Sequence, residues 1–594
     1  MKENWYIHSK KADFDKIAKK FNIDKVTARV IRNRDIVDIN DIENYLNPDV
    51  SKLSSPWLFK DMDKAVDILK IKVAGKNKIR IICDYDVDGI CSGFILYSAL
   101  KEIGAIVDVI APDREKDGYG INKNLIKKAS DDGVNTILTC DNGIAAFDEV
   151  NYAKTLGMDI VITDHHEVPF DIVNDEVVYK IPLADAVIDH KQKDCDYPFK
   201  ELCGAMVAYQ LMRALYSSMD ISEDKIKKYL MYAGIATVAD VVDLIGENRA
   251  VVSESLRQIK KTTDIGISAL INALNLNRES INSGTYGFII GPTLNASGRI
   301  SVANKAIKLL AMDSEEKAKE MAAHLKSLND ERKAMCEKGV KEGLKYAKST
   351  DDKVLVVEMY DLHESIAGIV AGRIKEELNK PTLVLTKSKS GLIKGSGRSI
   401  ETYNLFEKMS EVKYLFEKFG GHSMAAGFSL KEENVSALRI ELNRKCGLSE
   451  DDLVKKIWID TMLPFGYISL PLARQIKSLD PFGKGNPTPL FAEARVKITN
   501  IFIMGKNSNV VKAIMVNDQN VKMEGILFGD DAMRFLKFLR ENFGESVIKD
   551  ITAGSGNGIL INITYNLDIN IFNDEEKLQI RIKNYNIPNL KVPM

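Results

Sequence analysis

The sequence predicts a multidomain α/β protein: an open parallel-sheet domain, a connecting helix, a mixed α/β domain and a small C-terminal antiparallel β-barrel. Three observations predict it. Short β-branched runs alternate with helix-like stretches between residues 79 and 188, which is the pattern of a parallel sheet covered by helices on both faces. A charged stretch with few turn formers then separates this region from a glycine-rich one. Beyond Trp458, short runs of period two recur, as they do in small closed β-structures.

A chain of 594 residues, 45% apolar and 28% charged, can bury more than one core, and its length provides for roughly three or four domains. No run of about twenty uninterrupted apolar residues is present, and Met1-Lys2-Glu3-Asn4-Trp5 lacks the apolar core of a signal peptide; the expectation is a cytoplasmic protein. The seven cysteines contain no Cys-x-x-Cys pair, which argues against zinc fingers and a disulfide framework. The net charge of −1 means that any polyanion site must be local.

Residues 1–55 form a basic N-terminal segment, and in the first 34 of them Lys10, Lys11, Lys16, Lys19, Lys20, Lys25, Arg29, Arg32 and Arg34 outnumber the acids. Such a run serves either a solvated helix face or a nucleic-acid contact. Residues 56–303 hold the parallel sheet, with strands expected at 79–83, 106–110, 136–140, 160–163 and 186–188. Residues 304–349 read as the connecting helix. Residues 350–447 form the second α/β unit, beginning with a strand from Val354 to Val357, and its glycines near Gly395 and Gly421 suit close backbone approach. Residues 448–594 form the barrel, with strands at 496–503, 510–516, 521–527, 559–567 and 578–582.

Acidic and imidazole residues recur where the expected strands end. Asp84, Asp86 and Asp88 follow the first strand, Asp141 follows the third, and Asp164-His165-His166 follows the fourth, with Asp240 further on. In open parallel sheets, ligands bind beyond the carboxyl ends of the strands. Asp-x-Asp-x-Asp-Gly taken alone is also a plausible turn. Two carboxylates about 4 Å apart repel by roughly 4 kcal/mol at an effective dielectric of about 20, so several gathered at one sheet edge require cations. Oxygen-rich ligation with imidazole suits Mn²⁺ or Mg²⁺ better than structural zinc. A pair of such ions is the arrangement that hydrolyses phosphoesters.

With this spacing the chain resembles the DHH phosphoesterase superfamily, named for the tripeptide at 164–166. The resemblance implies that Asp84, Asp86, Asp88, Asp141, His165 and Asp240 ligate two ions and that Asp141 and His166 are catalytic, His166 facing the scissile phosphate. The segment Gly291 to Arg299 and the strings around Arg373, Gly395-Ser396-Gly397-Arg398 and Gly420-Gly421-His422 resemble a signature of the bacterial RecJ exonucleases and the DHHA1 domain that accompanies DHH domains. By that resemblance Arg299, Arg373, Ser396, Arg398 and His422 hold substrate. Arg114 and Tyr119 pair a cation with an aromatic, which suits a phosphate and a base; a packed loop tyrosine is the other reading. Pro481 to Phe491 resembles the entry to the RecJ OB-fold.

The RecJ resemblance covers nearly the whole chain. It implies metal-dependent degradation of single-stranded DNA from the 5′ end to mononucleotides in recombination and repair, with a single-strand-binding protein and a RecQ-type helicase as partners. A DHH/DHHA1 phosphodiesterase acting on short oligonucleotides or cyclic dinucleotides is the alternative.

Overall fold

The computed structural model describes residues 3–113, 118, 120–174, 176–300, 304–388, 391–505, 507–555, 558–572 and 575–588. The chain forms two compact units, Asp49–Val454 and Lys2–Pro48 with Lys455–Met594. The first strand, β1 (Glu3–Ile7), belongs to the second of these.

In the larger unit, β2 (Lys78–Cys83), β3 (Ile106–Ile110), β4 (Thr136–Cys140) and β5 (Asp159–Thr163) precede the hairpin β6 (Phe170–Val173) and β7 (Glu176–Tyr179), and β8 (Ala186–Ile188) follows. Strands β3-β2-β4-β5-β8 form one sheet in that order, every pair parallel. The β-branched runs are buried as expected for a sheet covered on both faces: β2 is buried from Ile79 to Cys83 and β4 throughout. One core packs β2 and β4 against the helices Val87–Glu102 and Gly204–Ser218; another, with Ile82, Ile137 and Ile160, lies on the opposite face.

The expected single helix at 304–349 is two helices, Asn304–Leu310 and Glu315–Ala347. Ser314 interrupts them by capping the second, its side chain accepting from the Lys317 N–H, the bond that satisfies an orphan donor at a helix start. The longer helix buries Ala318, Ala322, Leu325, Asn329, Arg332, Cys336, Gly339, Gly343 and Ala347, a stripe at spacings of three and four. Its first part joins the core of the parallel sheet and its last turn joins the core around β9 (Leu355–Glu358). That strand leads a five-stranded sheet completed by β10 (Thr382–Lys387), β11 (Ile393–Arg398), β12 (Lys418–His422) and β13 (Ala425–Leu430), in the order β12-β13-β11-β10-β9. Only β9 and β10 pair in parallel.

In the second unit, β14 (Lys455–Ile459) pairs in parallel with β1. After the short β15 (Thr461–Met462) come β16 (Phe491–Met504), β17 (Val510–Val516), β18 (Lys522–Phe528), β19 (Ile559–Phe572) and β20 (Glu575–Asn586). Pairings run β16 to β17, β18, β20, β19 and back to β16, so these five strands close on themselves. The sheet is mixed, which corrects the antiparallel expectation: β18 pairs with β20, and β15 with β16, in parallel. Where the sequence sets residues 1–55 apart, Val30, Ile31, Ile42 and Tyr45 share the core of this closed sheet.

Candidate metal centre

The centre is assembled where β2, β4 and β5 end. Leaving β2, the chain passes through the buried Asp84 to Asp86, which caps the helix Val87–Glu102 by accepting the N–H groups of Asp88 (2.9 Å) and Gly89 (3.1 Å). Asp88 is 1% exposed, and its carboxylate accepts the N–H groups of Gly204 (2.6 Å) and Ala205 (2.7 Å). These are the first residues of the helix Gly204–Ser218, whose N-terminus favours negative charge. A Cβ on Gly204 would stand 2.8 Å from the Asp141 Cβ, so the close approach of this helix start to the centre depends on glycine.

Asp141 follows β4 with φ 60°, a left-handed conformation that Asp tolerates better than most residues. Asp164 follows β5 and is 1% exposed. Its carboxylate accepts the N–H of Ile144 (2.9 Å) and of His165 (2.8 Å), and the His166 Nδ1 lies 2.7 Å away. The bond orients the His166 ring, which remains half-exposed. His165 reaches the other carboxylates: its Nε2 lies 3.0 Å from an Asp141 oxygen, 3.5 Å from one of Asp88 and 3.9 Å from one of Asp240. Asp240 ends the helix Leu230–Ala239, and the next residue, Val241, has φ 59°. That conformation costs a β-branched residue roughly 1–3 kcal/mol.

Donor atoms therefore fall into three groups, Asp84-Asp86-Asp141, Asp141-His165-His166 and Asp88-His165-Asp240, each within 4.8 Å. All six expected ligands are among them, and Asp141 and His165 each belong to two groups. Asp243, three residues beyond Asp240, belongs to none of these groups.

Burial is the first cause that pushes the Asp141 carboxyl well above its ordinary range, and the charges of Asp88, Asp86 and Asp84 add to it. Burial likewise raises Asp88, and raises Asp240 to about 8 with help from Asp88 and Asp86. His165 is lowered by burial, so it offers the neutral imidazole that ligation requires. For His166, burial lowers the pKa, but the hydrogen bond and charge of Asp164 outweigh it and bring the ring to about 9. Carboxylates that resist ionisation together, grouped around a neutral imidazole, form a donor set that fits hard divalent cations.

A cleft of about 720 Å³ opens beside Asp84 and Asp86 and is also lined by Arg299, Ser365, Gly368, Lys394, Ser396 and Arg398. Arg299 donates from Nη1 to the Ser365 carbonyl (2.7 Å), and Arg398 donates from Nη1 to the Ser396 hydroxyl (3.2 Å) and the Gly397 carbonyl (2.8 Å). A Cβ on Gly298 would stand 2.3 Å from the Tyr85 carbonyl oxygen, so glycine seats the Arg299 helix directly on the 84–86 loop.

Arg299, Ser396 and Arg398 thus come together with the carboxylates. Arg373 and His422 do not line this cleft; both are exposed, His422 at the end of β12. Arg114 and Tyr119 lie outside the described residues. The sequence reading missed Asp164 as the residue that orients His166, although its place in the tripeptide was visible. It also missed Arg332, a buried guanidinium next to Cys336 and Arg373 that donates to Asn329 Oδ1 (3.0 Å). Nothing in a charged helical stretch distinguishes this arginine from its solvated neighbours.

Comparisons with known proteins agree with this layout. The DHH family, N-terminal domain, matches residues 78–237; the DHHA1 domain matches 351–447; the RecJ OB domain matches 459–584. The single-stranded-DNA-specific exonuclease RecJ of Bacillus subtilis is 32% identical over 590 residues, covering 98% of this chain and 70% of that protein. The RecJ of Haemophilus influenzae is 30% identical over 576 residues, covering 93% and 95%. Among solved structures, RecJ in complex with Mn²⁺ from Thermus thermophilus shares the fold, with a TM-score of 0.80 at 22% identity over 99% of this chain and 80% of that one. An exonuclease RecJ bound to manganese matches with a TM-score of 0.57 at 27% identity, covering 66% of this chain and 96% of that one.

Proposed function

The chain belongs to the RecJ family of single-stranded-DNA-specific exonucleases, and on that premise we propose that it degrades single-stranded DNA from the 5′ end to mononucleotides, in recombination and repair, with two Mn²⁺ or Mg²⁺ ions. The observation that carries this reading is the set of three donor groups joined through Asp141 and His165 at the mouth of an arginine-bearing cleft. Relatives solved with manganese support the choice of ion.

Asp84, Asp86, Asp88, Asp141, His165 and Asp240 would hold the ions. When bound, the ions supply the acidity of the attacking water and the positive charge that phosphodiester cleavage requires. His166, held by Asp164 and protonated at neutral pH, donates a charge-assisted hydrogen bond to the scissile phosphate as negative charge develops there. Arg299 and Arg398, with the Ser396 hydroxyl, bind the phosphate at the strand end, and the guanidinium planes fix its orientation. Arg373 and His422 would contact substrate outside the cleft, and Arg114 and Tyr119 would meet phosphate and base.

The division of labour follows the proposed boundaries: catalysis by 56–303, phosphate binding by 350–447 across the 304–349 connection, and strand binding by 448–594, with 1–55 as a basic accessory. A single-strand-binding protein and a RecQ-type helicase are the proposed partners and the cytoplasm the proposed location. Among the described residues no helix is long and apolar enough to cross a membrane.

The test is hydrolysis, with Mn²⁺, of single-stranded DNA labelled at either end, beside duplex, RNA and cyclic dinucleotide controls. Mononucleotides released from the 5′ end with duplex spared are expected. Cleavage confined to dinucleotides would replace this reading with the small-substrate phosphodiesterase. Asp141→Ala is expected to abolish turnover while leaving the circular dichroism spectrum unchanged; a retained rate would sink the assignment.

A further inference from the structure

Outside the closed ring of β16 to β20, the ribbon of β1 and β14 carries an aromatic surface that the exonuclease chemistry does not use. The register sets Tyr6 opposite Trp458 and Asn4 opposite Lys456. Strand alternation turns Trp5, Ile457 and Ile459 into a small core with Ala492 and leaves Tyr6, Trp458 and Lys456 on the other face. Trp458 is 51% exposed. Its ring lies 5.2 Å from Tyr6 at 33° and 5.0 Å from His8 at 21°, the latter held by its N–H bond to the Ile459 carbonyl (3.0 Å).

The cations around this surface are not all neutralised. Lys10 and Arg34 are engaged by Asp35 and Asp460. Lys456, on the face of Trp458, is exposed and has no acidic partner among the described residues. A half-exposed tryptophan packed among other rings and neighboured by an unpaired ammonium group is the chemistry of a base-stacking site: an exposed aromatic surface accepts any base, and the lysine meets a phosphate. An apolar protein partner would gain nothing from the unpaired lysine, so the charge favours a polyanion.

We propose that Tyr6, His8 and Trp458, with Lys456, form a contact for single-stranded DNA built on the β1–β14 ribbon, separate from the closed sheet. The proposal rests on the exonuclease reading, since it supplies the strand. It also gives the basic N-terminal segment a role: its first strand completes the platform.

The test uses the full chain carrying Asp141→Ala, loaded with Mn²⁺, so that strands bind without being cut. A thirty-nucleotide oligo(dT) should quench intrinsic emission, and the additional change Trp458→Phe should remove most of that quenching while retaining most of the affinity. Trp458→Ala should weaken binding roughly 5- to 150-fold, the equivalent of about 1–3 kcal/mol per stacked base. Lys456→Glu should flatten the salt dependence by about 0.7 for the lost phosphate contact. Quenching that persists in Trp458→Phe, or an affinity that Trp458→Ala leaves unchanged, overturns the platform while the exonuclease reading stands. Failure of the chain with Asp141 intact to cut or bind single strands overturns both.

Discussion

His166 and Asp164 show what a single hydrogen bond does to the chemistry. Burial alone would make the His166 ring a weak base; the Asp164 carboxylate, 2.7 Å from Nδ1, reverses this and brings it to about 9. An imidazolium role in catalysis is present below that pKa and lost as pH rises through it. In Asp164→Asn the neutral amide no longer holds the proton, so the alkaline limb of the rate profile is expected to move to lower pH, with the rate at pH 8 reduced by about tenfold or more. An unshifted limb would show that His166 acts uncharged. The expected ligand carboxylates at 84–88 and 141 were legible because they sit just past β-branched runs, where a parallel sheet binds its ligands, whereas Asp240 ends a helix. The role of Asp164 was not, because a carboxylate that orients a ring and one that binds an ion look alike in sequence. Arg373 and His422 illustrate the reverse: both carry suitable chemistry in glycine-rich strings, yet their elements leave them exposed outside the cleft.

Helix starts and close contacts between elements set the geometry of the centre. Asp86 and Asp88 each bind backbone N–H groups at a helix N-terminus, so the backbone holds these two carboxylates in orientation. Gly298 places the Arg299 helix against the 84–86 loop, and Gly298→Ala would drive a methyl to 2.3 Å from a backbone oxygen. This variant is expected to keep its helical content and lose strand cleavage by about 10²-fold, since a displacement of about 1 Å near a reacting centre costs that much; a rate within threefold of the parent would refute the packing argument. The strands themselves were legible: β3, β4, β8 and β17 begin and end where the apolar runs do. The parallel pairing of β18 with β20 was not, because period two marks a strand's faces and says nothing of its partner's direction. Nor was the break at 311–314, where one serine cap divides a continuous charged pattern.

Across the whole molecule, stability and ion binding are coupled through the buried carboxyls. In ion-free protein, the Asp240 carboxyl stands at about 8 against an ordinary 3.8. Only the unfolded chain releases that proton between these values, so the group subtracts stability progressively as pH rises from 3.8 to 8. A bound ion requires the charged form and removes the penalty. The rise in unfolding temperature on adding Mn²⁺ is therefore expected to be larger at pH 8 than at pH 6, and proton release should accompany binding; an ion effect that shrinks with pH would contradict the linkage. The partner of the N-terminal segment was hidden from sequence reading, because β1 pairs with a strand some 450 residues away and a basic run does not name what it packs against. The central claim is that the strand ends hold a pair of ions, and anomalous diffraction at the manganese edge from crystals grown with Mn²⁺ tests it most directly. Two peaks about 3.5–4 Å apart, enclosed by Asp84, Asp86, Asp88, Asp141, His165 and Asp240, are the predicted result; a single peak, or peaks away from these side chains, would contradict it.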